Sequence, residues 1–340
     1  MITDKHEECD NIGVGLFKKS EEKDRLVGIA YSAWHRKSLD WNERTWNVPL
    51  INPYDSTDRE AVYQHGIWFA EADIDFVFVD WSNNTEYDPQ TMRGPHSDFT
   101  MIEEATDVLF EVWAEIPNAP KICIFVGPGH SGIENVKNGN HQKKVNQVYK
   151  NYIENKKYNE MYFYYEGKPL LMCYGATPTL YGADPEWKDD RFTVRWVTGY
   201  VGQQKELYNE KTLQSKRYWS WEERGVQTYT VIDGMVEAVT CSAATRQQDA
   251  EGEREYIPPC MRNNGATLKK QFQRAVDLGA KIVLLVSWNE WVISEQISVE
   301  QSKDLEPSEI HGTFYYDLMK REIKKFKGKN KNFLEKSEKQ

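Results

Sequence analysis

The chain lacks a long apolar run. Across 340 residues, of which only 39% are hydrophobic, no uninterrupted stretch approaches the roughly 18 residues needed to cross a bilayer, so membrane insertion is not expected. Cysteine is scarce as well. Cys9, Cys123, Cys173, Cys241 and Cys260 are odd in number, widely spaced and free of C-x-x-C pairing, which argues against a zinc site and against a disulfide framework. Positive charge is in deficit: 43 Lys+Arg against 53 Asp+Glu give −10, the wrong sign for a nucleic-acid partner, whose phosphates reward the opposite balance. Glycine-rich phosphate cradles are missing too. No G-x-G-x-x-G follows the first strand pattern and no G-x-x-x-x-G-K-[ST] occurs, so no nucleotide, no other cofactor and no metal is expected. The opening MITDKHEECDNIG has no apolar h-region, which reads as cytoplasmic for the chain as it stands, and as periplasmic or secreted had a leader been trimmed.

What is abundant is aromatic side chain. Phe, Trp and Tyr reach 13%, with 12 Trp and 19 Tyr, many beside Asn, Asp, Glu and His rather than inside apolar runs. Rings with polar tips suit surfaces that are half apolar and half wet, and sugar rings offer such a face, although a large core using Trp and Tyr accounts for the composition equally well.

Apolar runs and helical patterns alternate along the chain. Strands are expected at 26–33, 74–81, 121–126, 169–174, 192–197, 236–242 and 281–287, with a weaker candidate at 228–231. Helical spacing marks 58–70, 99–116, 142–156, 266–278 (with Gly279 as its cap) and 312–326. Strands apolar on both faces and separated by helices imply a parallel sheet under helices, and their number over some 300 residues fits a single (β/α)₈ barrel with long strand-to-helix loops. A polar leader over 1–24, the barrel over 25–327 and a lysine-rich, disordered tail over 328–340 complete the expected organisation, with no repeat and no linker to divide it.

A parallel barrel builds its site at the carboxyl ends of its strands. Those ends carry rings, amides, histidines and carboxylates: Tyr31 to His35, Asp80 to Asn84, Gly127 to His130, Tyr174, Tyr200, and Trp288-Asn289-Glu290-Trp291. Glu290, between two tryptophans after the most apolar strand, is the leading general acid or base, because desolvation raises a carboxyl pKa toward the useful range. Asp80 has the same placement, with loop capping as its alternative. Glu222 and Glu223, which follow Trp219 and Trp221, have a solvated alternative opposite Arg217 and Arg224. Tyr31, Trp34, Trp81, Trp221 and Trp291 are the candidate sugar-facing rings, each with core packing as its alternative; His35, Asn83, Asn84, His130 and Asn289 are the candidate hydrogen-bonding groups.

The segment Trp288-Asn289-Glu290-Trp291, followed by Glu295-Gln296-Ile297, then Asp304-Leu305-Glu306-Pro307-Ser308 and His311-Gly312 before the last helix, resembles the C-terminal signature of glycoside hydrolase family 71/99-like proteins. These include the endo-α-mannosidases and endo-α-mannanases of family 99 and the WbsX-like proteins. The run Asp75 to Trp81 and the aromatic end of the first strand are similar to the opening barrel strands of the same group. The resemblance implies a (β/α)₈ barrel acting on an α-linked oligosaccharide or polysaccharide. It also implies that Glu290 matches the glutamate that deprotonates the sugar 2-hydroxyl. The acid/base glutamate expected three residues later falls on Ile293, which cannot transfer a proton. Either a displaced carboxylate such as Glu295 substitutes, with Asp80, Glu222 or Glu223 as other candidates for the partner that glycosidases need, or the mechanism differs from that of family 99. The alternative function is a non-catalytic or transferase-associated glycan-binding protein on the same barrel.

Overall fold

The computed structural model describes residues 19–21, 24–38, 40–41, 45–84, 97–127, 133–175, 187–199, 205–216, 218–221, 226–245, 259–291 and 299–329. Among them the strands are β1 (Leu26–Tyr31), β2 (Phe76–Trp81), β3 (Lys121–Val126), β4 (Tyr164–Tyr165), β5 (Lys168–Tyr174), β6 (Thr193–Thr198), β7 (Gln214–Ser215), β8 (Trp219–Ser220), β9 (Tyr229–Ile232), β10 (Met235–Cys241) and β11 (Ile282–Leu285). The helices are α1 (Arg59–Ala72), α2 (Ser97–Trp113), α3 (Ile133–Lys137), α4 (Asn140–Val148), α5 (Ala266–Leu278) and α6 (Phe314–Phe326). No helix among the described residues is long and apolar enough to cross a membrane.

Parallel pairing runs from β10 to β11, β1, β2, β3, β5, β6 and β8. The ring is completed between β8 and β10 by side chains: the Thr240 hydroxyl donates to the Ser220 carbonyl at 2.6 Å and the Trp219 indole to Glu237 at 2.7 Å. Eight strands thus form the expected (β/α)₈ barrel, but not the eight the pattern suggested. The run near 228–231 is β9, which pairs antiparallel with β10 outside the ring. The sixth barrel strand is instead the two-residue β8, inside the aromatic cluster 218–221. Two residues are too short for any periodicity; pairing with Val197 and Thr198 makes them a strand.

Alternation along each strand separates two faces. On β1 and β2 the positions Tyr31 and Trp81 turn to the helices: Tyr31 packs edge-on against Phe69 of α1 and Trp113 of α2, and the Trp81 indole donates to Thr106 in α2 at 2.9 Å. The intervening positions Gly28, Phe76, Phe78 and Asp80 face the other way. Gly28 is required there, since a Cβ would lie 2.3 Å from the Phe76 ring that fills the barrel beside it. Higher up, a Cβ at Gly127 would sit 2.0 Å from the Ser82 carbonyl, so glycine lets the chain leaving β3 press against the turn that follows Asp80.

The amino-terminal end of the barrel is filled by a polar cluster. Arg195 of β6 pairs with Glu237 of β10 at 2.7 Å and Glu166 at 2.8 Å, and the Tyr165 hydroxyl and Trp219 indole also donate to Glu237. Helical cover is uneven. Helices follow β1, β2, β3, β10 and β11, whereas no α-helix occurs between β5 and β10 among the described residues.

Candidate active site

The segment leaving β11 is held by two carboxylates that water does not reach. Asp304 accepts from the Glu290 amide at 2.7 Å, the Trp291 amide at 2.8 Å, the Trp46 indole at 2.8 Å and the Ser287 hydroxyl. Glu306 accepts from His65 Nε2 at 2.9 Å, the Tyr54 hydroxyl at 3.0 Å and the Trp291 indole at 2.5 Å. With Nε2 donating, His65 Nδ1 is the acceptor for the Tyr31 hydroxyl at 2.9 Å. Asn289 completes the frame: its amide bonds both backbone groups of Ser32 and donates to Tyr54, while its carbonyl accepts from His35 Nε2 at 2.7 Å.

This frame fixes the backbone on either side of Glu290 and leaves its carboxylate, 22% exposed, as the group that meets the barrel mouth. There it forms an ion pair with Lys303 at 2.8 Å, a lysine whose side chain is only 2% exposed. Asp80 comes to the same place from the end of β2. Its pKa is raised from 3.8 to about 6, first by burial and further by the Glu290 charge, against the Ser82 hydrogen bonds and the Lys303 charge that lower it. A carboxylic acid that titrates near 6 is protonated often enough at neutral pH to donate a proton, and basic enough once ionised to take one back.

An aromatic wall stands beside this pair. Phe125 is the register partner of Asp80 on β3. Over it lies Trp221, which follows β8 directly, with ring centroids 4.7 Å apart, and Tyr174 at the end of β5 packs edge-on at 5.8 Å. Trp221 and Tyr174 are both partly exposed.

The remaining expected residues divide into three groups. Tyr31, Trp81 and Trp291 are at most 1% exposed and do not serve as sugar platforms: the first two face helices, and Trp291 stacks on Trp46 at 4.7 Å. His35 and Asn289 are likewise buried parts of the frame, and Asn84 bonds Glu103 and Lys144 beneath the turn after β2. Trp34 is half-buried beside His35, and Asn83 is exposed on the turn two residues beyond Trp81. Glu295, Glu222, Glu223 and His130, with Ile293, lie outside the described residues. Lys303 and Tyr174 are absent from the sequence-derived site. Tyr174 carried the strand-end signal, whereas a single lysine in Gln301-Ser302-Lys303-Asp304 carries none.

The described strands form a parallel eight-stranded barrel with carboxylates at its carboxyl-terminal mouth, and comparison with solved structures finds this fold among glycoside hydrolases. The chain is similar to the GH99 endo-α-mannosidase from Bacteroides thetaiotaomicron in complex with bis-tris propane. The two share 12% identity at a TM-score of 0.57, over 91% of this chain and 99% of that one. A second structure of that endo-α-mannosidase gives 12% identity and a TM-score of 0.55, over 90% and 98%. A glycoside hydrolase-like protein gives 14% identity and a TM-score of 0.52, over 94% and 98%. At these identities the likeness is one of fold. No protein-family model matches the chain, and no curated protein matches it.

Proposed function

We propose that the protein is a glycoside hydrolase that cleaves an α-linked glycan with Asp80 and Glu290. The observation that carries the reading is the meeting of these two carboxylates at the barrel mouth in different states: Asp80 buried and titrating near 6, Glu290 ion-paired with Lys303. Pairs of carboxyl groups whose environments push them apart are how glycosidases divide acid from base. In this reading protonated Asp80 donates to the departing glycosidic oxygen while Glu290 takes the proton of the attacking sugar 2-hydroxyl; the ionised Asp80 then deprotonates the water that opens the resulting 1,2-anhydro sugar, and Glu290 returns its proton to O2. Trp221 and Tyr174 hold the sugar ring. Asp80 then takes the place of the acid/base glutamate whose position Ile293 occupies.

A panel of aryl α-glycosides and natural α-linked glycans, with products followed by chromatography, tests this. Turnover by the native protein that drops at least about 10²-fold in both Glu290→Gln and Asp80→Asn supports it. The Ile293 position favours a second reading, a barrel that binds glycans without cleaving them. Saturable binding across the panel with no product would establish that one instead.

A further inference from the structure

We propose that Lys303 is the positioning residue that divides the protonation roles at the barrel mouth, its ammonium fixing Glu290 as the anion and leaving Asp80 as the proton carrier. The inference deepens the proposed function and, for its catalytic consequence, rests on it. Its first support is geometric. Lys303 sits one residue before Asp304, the carboxylate that grips the amides of Glu290 and Trp291, so one short segment fixes both the backbone of Glu290 and the charge opposite its side chain. The Lys303 side chain is almost wholly buried, and a buried ammonium is retained only where an anion accompanies it.

The second support is what surrounds Asp80. Among the described residues the charged groups acting on it are Glu290 and Lys303, in opposite directions. Its register neighbour on β3, Phe125, is uncharged, and on its own strand's end Ser82 contributes an amide donor at 2.7 Å. Among the described residues, with Lys303 present, two carboxylates and one ammonium meet at the mouth. Without it, two like charges face each other and repulsion retains a proton on the pair at higher pH.

The test reads protonation directly. Protein labelled with ¹³C at the aspartate carboxyl carbons is titrated by NMR, with the Asp80 signal assigned through Asp80→Asn. In the native protein the midpoint is expected near 6. In Lys303→Met it should rise by about half a unit or more, and in Lys303→Arg, which keeps the charge, it should stay within about 0.2 unit of native. Lys303→Gln repeats the neutral substitution with a polar side chain if the methionine variant does not fold. An unchanged midpoint in the neutral variants overturns the proposal, as does an equal rise in Lys303→Arg. On an active substrate the neutral variants should also lose at least about tenfold in kcat with KM within about threefold, and the basic limb of the pH profile should move up with the NMR midpoint. A shifted midpoint in a protein that turns over no glycan would sink the proposed hydrolase activity while leaving the electrostatic role of Lys303 standing.

Discussion

Two pairs of carboxylates lie within one short stretch of space at the top of this barrel, and they are built in opposite ways. Asp304 and Glu306 are sealed from water, and their oxygens are engaged by amide, indole, hydroxyl and imidazole donors. Asp80 and Glu290 face each other's charge. One of them is lifted to about 6, and the other is partly open to solvent. The first pair spends its hydrogen-bonding capacity on the backbone and on neighbouring rings, which fixes geometry. The second is set by charge: the Glu290 charge helps raise Asp80, and Lys303 opposes it, so the protonation of this pair is open to change where that of a fixed anchor need not be. The same residue type therefore stabilises in one place and strains in the other.

The sharpest way to break this contrast is to attack the frame. Asp304→Asn leaves one side of the carboxamide presenting N–H groups to donors whichever way it turns. A loss of about 3–5 kcal/mol in unfolding free energy is expected, measured by urea denaturation. If stability barely changed, Asp304 would not be the anchor described here. Glu290→Gln should cost less stability than Asp304→Asn, although it strips the buried Lys303 of its ion-pair partner, while turnover falls at least about 10²-fold, or about 2.7 kcal/mol in transition-state terms.

Asp80→Asn separates the pairs most cleanly, because it should raise stability while removing activity. A carboxyl whose folded pKa lies above its unfolded value contributes fully below the unfolded value, near 3.8, and that contribution is lost as pH rises through about 6. At pH 7.5 the native protein therefore bears the cost of a charged, buried Asp80 that the asparagine variant lacks. A gain of about 1–3 kcal/mol is expected there, shrinking toward zero near pH 4. An asparagine variant less stable than native at pH 7.5 would place Asp80 with the frame. The smallest effect is in the pH profile. If Asp80 must be protonated, kcat/KM should decline above about pH 6 with slope one, and a profile flat from pH 5 to 8 would assign the acid elsewhere.

The barrel was legible because β1, β2, β3, β5, β6, β10 and β11 are apolar enough to read as strands in isolation. β8 was not: Trp219 and Ser220 become a strand through their partners, whereas β9 has the right pattern and the wrong pairing. Among the candidate residues, the rule that a barrel's site gathers at the carboxyl ends of its strands picked out Asp80 and Glu290, which the structure brings to one mouth, and Trp221 beside them. The same rule drew in Tyr31 and Trp81, whose side chains leave the strand ends on the helical side. Alternation held that information, since Trp81 shares a face with Val77 and Val79 while Asp80 shares one with Phe78, but strands apolar on both faces do not announce which face is inner. Lys303 was illegible for a different reason. Its burial is a product of tertiary packing, and nothing in the local sequence separates it from the many solvated lysines.

The cluster of Arg195, Glu237, Trp219 and Tyr165 at the amino-terminal end has a consequence for traffic. It stoppers the barrel from below, and Phe76, Phe78 and Phe125 occupy the bore above it. Among the described residues these side chains fill the barrel interior below Asp80. If the barrel cleaves a glycan as proposed, a long chain is engaged from the mouth, with both of its new ends released on the side from which the whole chain came.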